Sequence, residues 1–528
     1  MAASGIMMLG ILASRLLGVV RDAVISGKFG QGRDTDIYNA AFTIPDFLFF
    51  LIAGGALSSA FIPVYTEKIT LGKRDEANRV FSVVATVMLI VVAAFVVVCE
   101  IFAPQLVRLL NFGFPADKVA ATVPLTRVVL PAQICFFLGG ALMGVQNANR
   151  RFSLPALGPV IYNLGIIFGG VALSAKMGVA GLVWGALGGA VVGNLLLQWY
   201  GAVKAGLRCR PSLDWHNPDA KRVWKLMLPV IFGLALPQVS LLINRMFASS
   251  LGDGPQSALV NANKLMQIPL GVFAQAMAVA IFPTLSALAA ERKMAELRST
   301  SSAGIRSILF LTIPSSIALV VLGRPVIALL LQHGRFGTEE ASLTSGALAA
   351  YSVGIFAWSA QSVLARTFYA LQDTRTPVLI GTGVTLVFVP LNWLLMSGMR
   401  WGANGLALAT SIAAILHMGL MVRVLSRRLE GLEGMRIVNT VTRTTVASLL
   451  AGAAAFLLSL VTTRIWPLSG VVGHELKIRA LISLLVPGGC GALLFLFLAR
   501  QFRIAELKMA LEMLRRKRRG NPPAQASS

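Results

Sequence analysis

The chain has 528 residues, of which 56% are hydrophobic and only 13% charged, and its mean hydropathy is +0.75. Soluble domains carry about 25% charged residues, so a soluble enzyme or binding module is excluded. The net charge of +25 would suggest nucleic acid in a soluble chain, but in a membrane protein basic residues set topology.

Apolar runs of about 20 residues, enough to cross a ~30 Å hydrocarbon core, recur from end to end. They centre near residues 17, 52, 90, 137, 165, 188, 236, 272, 312, 357, 387, 414, 452 and 490. The pattern predicts an all-α polytopic membrane protein of about fourteen transmembrane helices. With a cytoplasmic N-terminus, the even-numbered connections and the tail hold 30 Lys and Arg, and the other connections hold 9. That bias predicts both termini in the cytoplasm and accounts for the charge without a nucleic-acid partner.

The first apolar run contains "SRLLGVVRDA", residues 14–23. At 100° per residue, Ser14, Arg15, Gly18, Arg21, Asp22 and Ser26 share one arc, and aliphatic residues fill the rest. Arg15 lies about ten residues into the helix, roughly 15 Å deep, where an arginine costs at least ~2.5 kcal/mol unless it meets water or a partner. Asp22 can neutralise one arginine but not both. The surplus positive charge points to a wet, anion-binding cavity, with an internal charge network as the alternative use. The preceding "MAASG" has no basic residue, so this run does not read as a signal peptide.

Farther along, the chain repeats itself. "YNAAFTIPDFLFF" is echoed by "VNANKLMQIPLGVF", with Asn39 and Asn263, and Pro45 and Pro269, each 224 apart. Pro63 is echoed by Pro283, Pro155 by Pro377, and "GVAGL" at 178 by "GANGL" at 402, all at offsets of 220 to 224. An even number of spans per repeat predicts two parallel six-helix lobes, residues 1–205 and 206–430, with a substrate cavity between them. Residues 431–502 add two helices, and 503–528 form a basic tail that starts as an amphipathic helix on the anionic leaflet. Lys264 would bring a second cation from the opposite lobe. Asp36 could bond Arg21 or a basic residue near the outer surface. Arg245 pairs with Asp253 or snorkels, or else joins the cavity. Asn163, Asn244 and Asn392 read as interhelical hydrogen bonds.

Catalysis finds little support. Cys99, Cys135, Cys209 and Cys490 are far apart, His216, His333, His417 and His474 are scattered, and no GxxxxGK[ST] occurs. No cofactor or metal is expected, and no acid cluster suits a lipid phosphatase or glycosyltransferase.

"SRLLGVVRDAVISGKFG", "TDIYNAAFTIPDFLFFLIAGGALSSAFIPVYTE", "NANRRFSLPALGPVIYNLG", "NKLMQIPLGVF", "LLQHGRF" and "FYALQDTRTPV" together resemble the MurJ (MviN) lipid II flippase family. That family belongs to the multidrug/oligosaccharidyl-lipid/polysaccharide exporter superfamily. The resemblance implies a monomeric, non-enzymatic transporter of the bacterial plasma membrane. It would carry undecaprenyl-pyrophosphate-linked peptidoglycan precursor to the outer leaflet by alternating access. It also implies that Arg15, Arg21, Asp22, Asp36 and Lys264 line the substrate path and that the last two helices hold the isoprenoid tail. Ser14 from its place on the stripe, Asn39 and Asn263 from the repeat, and Arg245 from its apolar run are expected beside them. Some members carry charges in the second span where this chain has Phe49, Phe50 and Gly54, and their roles do not transfer. An ion-coupled exporter of drugs or of another polyprenyl-linked polysaccharide shares the two-lobe plan, although a drug exporter would favour acidic residues over this cationic stripe.

Overall fold

The computed structural model describes residues 2–52 and 56–508. Gly54 and the tail beyond Lys508 lie outside the described residues. A bilayer interior offers no water to a peptide group, so each spanning segment must satisfy its own backbone as a helix. The regular structure among the described residues is accordingly helical. Ten helices are long and apolar enough to cross a membrane, or eleven if the pair Thr338–Ser352 and Ile355–Ala370, bent by 42°, is one span. These coincide with eleven of the expected centres. The other three, near 17, 52 and 236, fall on Ala2–Phe29, on the interrupted run Arg33–Ala41, Thr43–Ile52 and Ala56–Thr70, and on Pro218–Ala248.

The chain forms two compact units, Met1–Ser257 with Leu330–Glu340, and Ala258–Leu329 with Ala341–Ser528. The first runs past residue 205 because Pro218–Ala248 contributes Ala220, Val223 and Met227 to a core built on Leu57, Phe61, Phe81, Phe137 and Leu142. The division expected at 205–206 follows the sequence repeat, a different criterion from compactness. Residues 330–340 join the first unit through the "LLQHGRF" motif: the Arg335 N–H donates to the Gly27 carbonyl at 2.8 Å, and Gln31 Nε2 donates to the Glu340 carbonyl at 3.3 Å. In the second unit, Leu285, Ile305, Leu309, Val363, Leu364 and Phe368 form the main core. There the segment after Gln501 folds back so that Glu506, 3% exposed, pairs with Arg306 at 3.2 Å.

Two packing devices in the first unit matter for the site. Helices Ser153–Phe168 and Ala180–Gly189 meet backbone to backbone. A Cβ at Gly165 would lie 2.5 Å from the Gly185 carbonyl oxygen, and one at Gly185 would lie 2.3 Å from that of Gly165. Only glycine fits such an approach, the close packing by which membrane helices gain dispersion energy.

The second device is a buried charge cluster. Asp36 is fully buried and Lys118 is 1% exposed; their ion pair measures 3.1 Å. The same Asp36 oxygen, Oδ2, accepts the Gly254 N–H at 2.8 Å, while Oδ1 accepts the Ser257 N–H at 2.9 Å and its hydroxyl at 2.6 Å. Lys118 reaches on to Asp253 at 2.6 Å and lies 4.0 Å from the Phe114 ring centroid. One carboxylate thus ties Arg33–Ala41 to Ala116–Val129 and to the loop that opens Pro255–Pro269.

The sequence repeat is visible in the turns. The Arg150 and Arg151 N–H groups donate to the carbonyls of Asn147 and Gln146 at 3.0 and 2.8 Å. At an offset of 222, those of Gln372 and Asp373 donate to Tyr369 and Phe368 at 3.0 and 2.9 Å. Arg150 and Gln372 share a left-handed φ, 55° and 58°.

Gly185→Leu is expected to destabilise the protein by at least about 3 kcal/mol through overpacking, seen as a lower melting temperature in detergent. Asp36→Ala, which strands the Lys118 ammonium, should cost about 3–5 kcal/mol. The pair Asp36→Asn with Lys118→Met should recover part of that loss in the same assay.

Candidate functional site

The first helix, Ala2–Phe29, carries four of the expected binding residues, Ser14, Arg15, Arg21 and Asp22, and the fold treats its two arginines differently. Arg21 is held on two sides. Its Nε and Nη2 donate to Asp22 Oδ1 at 3.0 and 2.9 Å, and Nη1 donates to Asn163 Oδ1 at 2.9 Å. The pair is mostly shielded, with side chains 22% and 16% exposed. Asn163, on Ser153–Phe168, turns its Nδ2 to the Pro159 carbonyl at 3.0 Å and to the Ser14 carbonyl and hydroxyl at 3.3 Å each. One neutral amide therefore spans two turns of the first helix, fixing Ser14 and Arg21 together.

A guanidinium has five N–H donors, and three are taken by Asp22 and Asn163. Five minus three leaves two, one on each terminal nitrogen, for an acceptor from outside. Arg15 is exposed, on a strip with Leu12 and Leu16, which are 55% and 60% exposed. Arg15 makes no ion pair or hydrogen bond among the described residues, so it does not join the Arg21 cluster directly.

The remaining expected residues are dispersed. Asp36 does not meet Arg21; it is consumed by Lys118, Gly254 and Ser257, and it positions backbone rather than facing a ligand. Asn39, half-buried, donates to Ser257 Oγ at 3.0 Å and braces the same cluster. Arg245 does not pair with Asp253, which Lys118 occupies. It donates to Thr43 Oγ1 at 3.1 Å and Asp46 Oδ2 at 3.2 Å, linking Pro218–Ala248 to Thr43–Ile52. Lys264 and Asn263 lie in the second unit on Pro255–Pro269. Lys264 is exposed, and Asn263 accepts from Gln267 at 2.6 Å. Phe49 packs edge-on against Phe136, centroids 5.2 Å apart, so this position holds an aromatic contact.

Sequence reasoning missed Lys118, counted only as an outer-connection charge, and it gave Asn163 no part in holding Arg21. Lys118 sits in "FGFPADKVAAT" at the start of a helix, where its burial has no local signal. Asn163, a polar residue in the apolar "VIYNLGII", makes interhelical hydrogen bonds as its sequence suggests, but nothing local marks Arg21 as its partner.

The family model described as lipid II flippase MurJ matches residues 25–474. A protein of Vibrio cholerae serotype O1 described as a probable lipid II flippase MurJ is 33% identical over 519 residues, covering 95% of this chain and 96% of its own. Among solved structures, a lipid II flippase MurJ in an inward closed conformation aligns with a TM-score of 0.77 at 24% identity, covering 94% of this chain and 98% of that one. An inward-facing multidrug resistance MATE family transporter of the MOP superfamily aligns at 0.66 and 15% identity, over 80% and 96% of the two chains. These two structures share its fold. On the family model and the extent of the sequence match, this multi-pass membrane protein belongs to the lipid II flippase MurJ family.

Proposed function

We propose that this protein moves lipid II, the undecaprenyl-pyrophosphate-linked peptidoglycan precursor, from the inner to the outer leaflet of a bacterial plasma membrane, and that Arg21 receives the pyrophosphate. The observation that carries this reading is the state of Arg21. It is oriented by an aspartate and an amide, largely withdrawn from solvent, and still holds two unused donors. A guanidinium so placed suits a pyrophosphate, whose oxygens accept paired N–H groups. Preorganisation matters because the side-chain entropy of ordering Arg21 is already lost before the ligand arrives.

The choice of partners has a consequence for charge. Asp22 neutralises one arginine; Asn163 adds a second hold at no cost in charge. Counting Arg15, Arg21 and Asp22 alone, the polar stripe of the helix keeps one net positive charge to offset the anion's desolvation. Arg15, exposed and without an ion pair or hydrogen bond among the described residues, supplies a second contact, and Lys264, at the repeat position of Ala40, is the substrate-binding cation of the second unit. Asp36, Asn39 and Arg245 act one step back, by holding the segments that follow the first helix.

The wider reading accords with the sequence. Fourteen spans arranged as two parallel six-helix lobes and two added helices, both termini cytoplasmic, would let the lobes rock about the bound head group while the final helices hold its lipid tail. The protein acts as a monomer, without cofactor and without nucleic acid. Release on the far side requires that neither state hold the head group too tightly, and Asp22, by partly neutralising Arg21, limits how strongly the guanidinium attracts the phosphate.

The test is exposure of lipid II on the outer leaflet of cells depleted of their own flippase and supplied with this protein, read by an externally added lipid II-cleaving enzyme. Wild type should restore cleavage. Arg21→Ala should reduce it at least about tenfold, since charged hydrogen bonds contribute about 1.5–3 kcal/mol, with insertion and melting temperature retained; a fully active Arg21→Ala protein would sink the assignment. Asn163→Asp should be as inactive as Arg21→Ala though folded, because a second carboxylate cancels the surplus charge. Asn163→Ala, which removes a neutral hold of about 1 kcal/mol, should lose only about fivefold.

A further inference from the structure

We propose that the cavity between the "NANRRFSLP" turn and the end of the helix Leu197–Lys204 binds a phosphate-bearing anion, at a site separate from the first helix. The cavity measures about 350 Å³, and its lining includes Gln146, Arg150, Arg151, Ser153, Gly201 and Lys204 but no acidic residue. Arg151 Nη1 donates to the Lys204 backbone carbonyl at 2.8 Å, which holds the Arg151 guanidinium at the end of that helix, while the Lys204 ammonium lies 4.6 Å from the Tyr200 ring centroid. Arg150, Arg151 and Lys204 make no ion pair among the described residues.

The second repeat shows what this turn looks like when its charge is balanced internally. Asp373 stands at the position of Arg151, 222 residues on, and Arg428 at that of Lys204, 224 residues on. The backbone turn is the same, hydrogen bond for hydrogen bond. There Asp373 pairs with Arg428, and its Oδ1 accepts the N–H groups of Arg375 and Thr376 at 3.0 and 2.9 Å. Arg428 also donates to Thr376 Oγ1 at 2.9 Å. The first repeat keeps the cation, replaces the carboxylate with another cation, and leaves the following helix without a side-chain cap. Three like charges around an open cavity, in a turn whose twin encloses an anion, are the arrangement of a site whose anion comes from outside.

Phosphate fits the donor set: an arginine fork recognises two oxygens, and a lysine adds a point charge. The surface that gathers basic residues is also where membrane proteins meet anionic head groups. The phosphate is carried either by a phospholipid head group or by a soluble phosphate.

Full-length protein in detergent would be titrated with phosphatidylglycerol, with phosphatidylcholine as the neutral control, and separately with inorganic phosphate, following the melting temperature. A background of Arg15→Ala, Arg21→Ala and Lys264→Ala removes the phosphate contacts of the proposed transport site, so the two readings fail independently. Phosphatidylglycerol or inorganic phosphate should raise the melting temperature where phosphatidylcholine does not, and whichever succeeds identifies the carrier. The variant Arg151→Asp with Lys204→Arg, which installs the second repeat's own ion pair, should weaken the apparent affinity at least about tenfold. Arg150→Gln with Arg151→Gln should do the same without adding negative charge. No rise with either anion, or an equal rise in wild type and both variants, overturns the proposal.

Discussion

A charge inside a membrane protein has no water to rely on, and the first compact unit is organised around that constraint. Each of its inner cations is placed by partners drawn from elsewhere in the chain. Lys118 is held by Asp36 and Asp253, Arg245 by Thr43 and Asp46, and Arg21 by Asp22 and Asn163. The three arrangements differ in how much charge they leave. Lys118 is outnumbered by carboxylates and Arg245 is matched by one, and both are fasteners. Arg21 shares its helix with Arg15 and has a single carboxylate, Asp22, so of these three inner cations it is the one whose surroundings retain positive charge to offer a ligand.

That graded balance explains why so much of the architecture was legible in the sequence and so little of the wiring. Apolar runs report where a segment can lie in hydrocarbon, and eleven of the expected centres coincide with helices able to span. Period and spacing also exposed the repeat, because recurring prolines and glycines mark turns whose backbone must bend the same way twice. Partners are another matter. Asn163 lies 142 residues from Arg21, Lys118 lies 82 from Asp36, and Arg245 lies 199 from Asp46. A helical wheel states which residues share a face but is silent on which helix will cover it. Asp36 therefore looked available when it was saturated, and Arg245 was matched to the acid nearest in sequence instead of the one nearest in space. Ser14 and Arg21 were placed on one stripe, and a single amide joins them. Arg15, also assigned to that stripe, lies at its exposed margin.

The repeated turns add a lesson about divergence within one chain. Backbone geometry is shared at Arg151 and Asp373 to a tenth of an ångström in the hydrogen bonds that close the turn, yet the side chains carry opposite charge. Duplication preserved the scaffold, which steric rules enforce, and released the electrostatics, which they do not. The two halves of such a protein can thus present different chemistry at equivalent turns without altering the path of the chain.

The glycine seam has a mechanical implication. Where Gly165, Gly169, Gly181 and Gly185 bring two backbones into contact, there are no side chains to change rotamer and no slack to absorb sliding. The two helices are in effect one thick strut, and Asn163 is bolted to it. Bending in this unit is then left to segments where the helices are already broken, such as Phe42 and Asn111–Pro115. Arg21, anchored to the strut through Asn163, becomes a fixed reference point against which those softer segments flex.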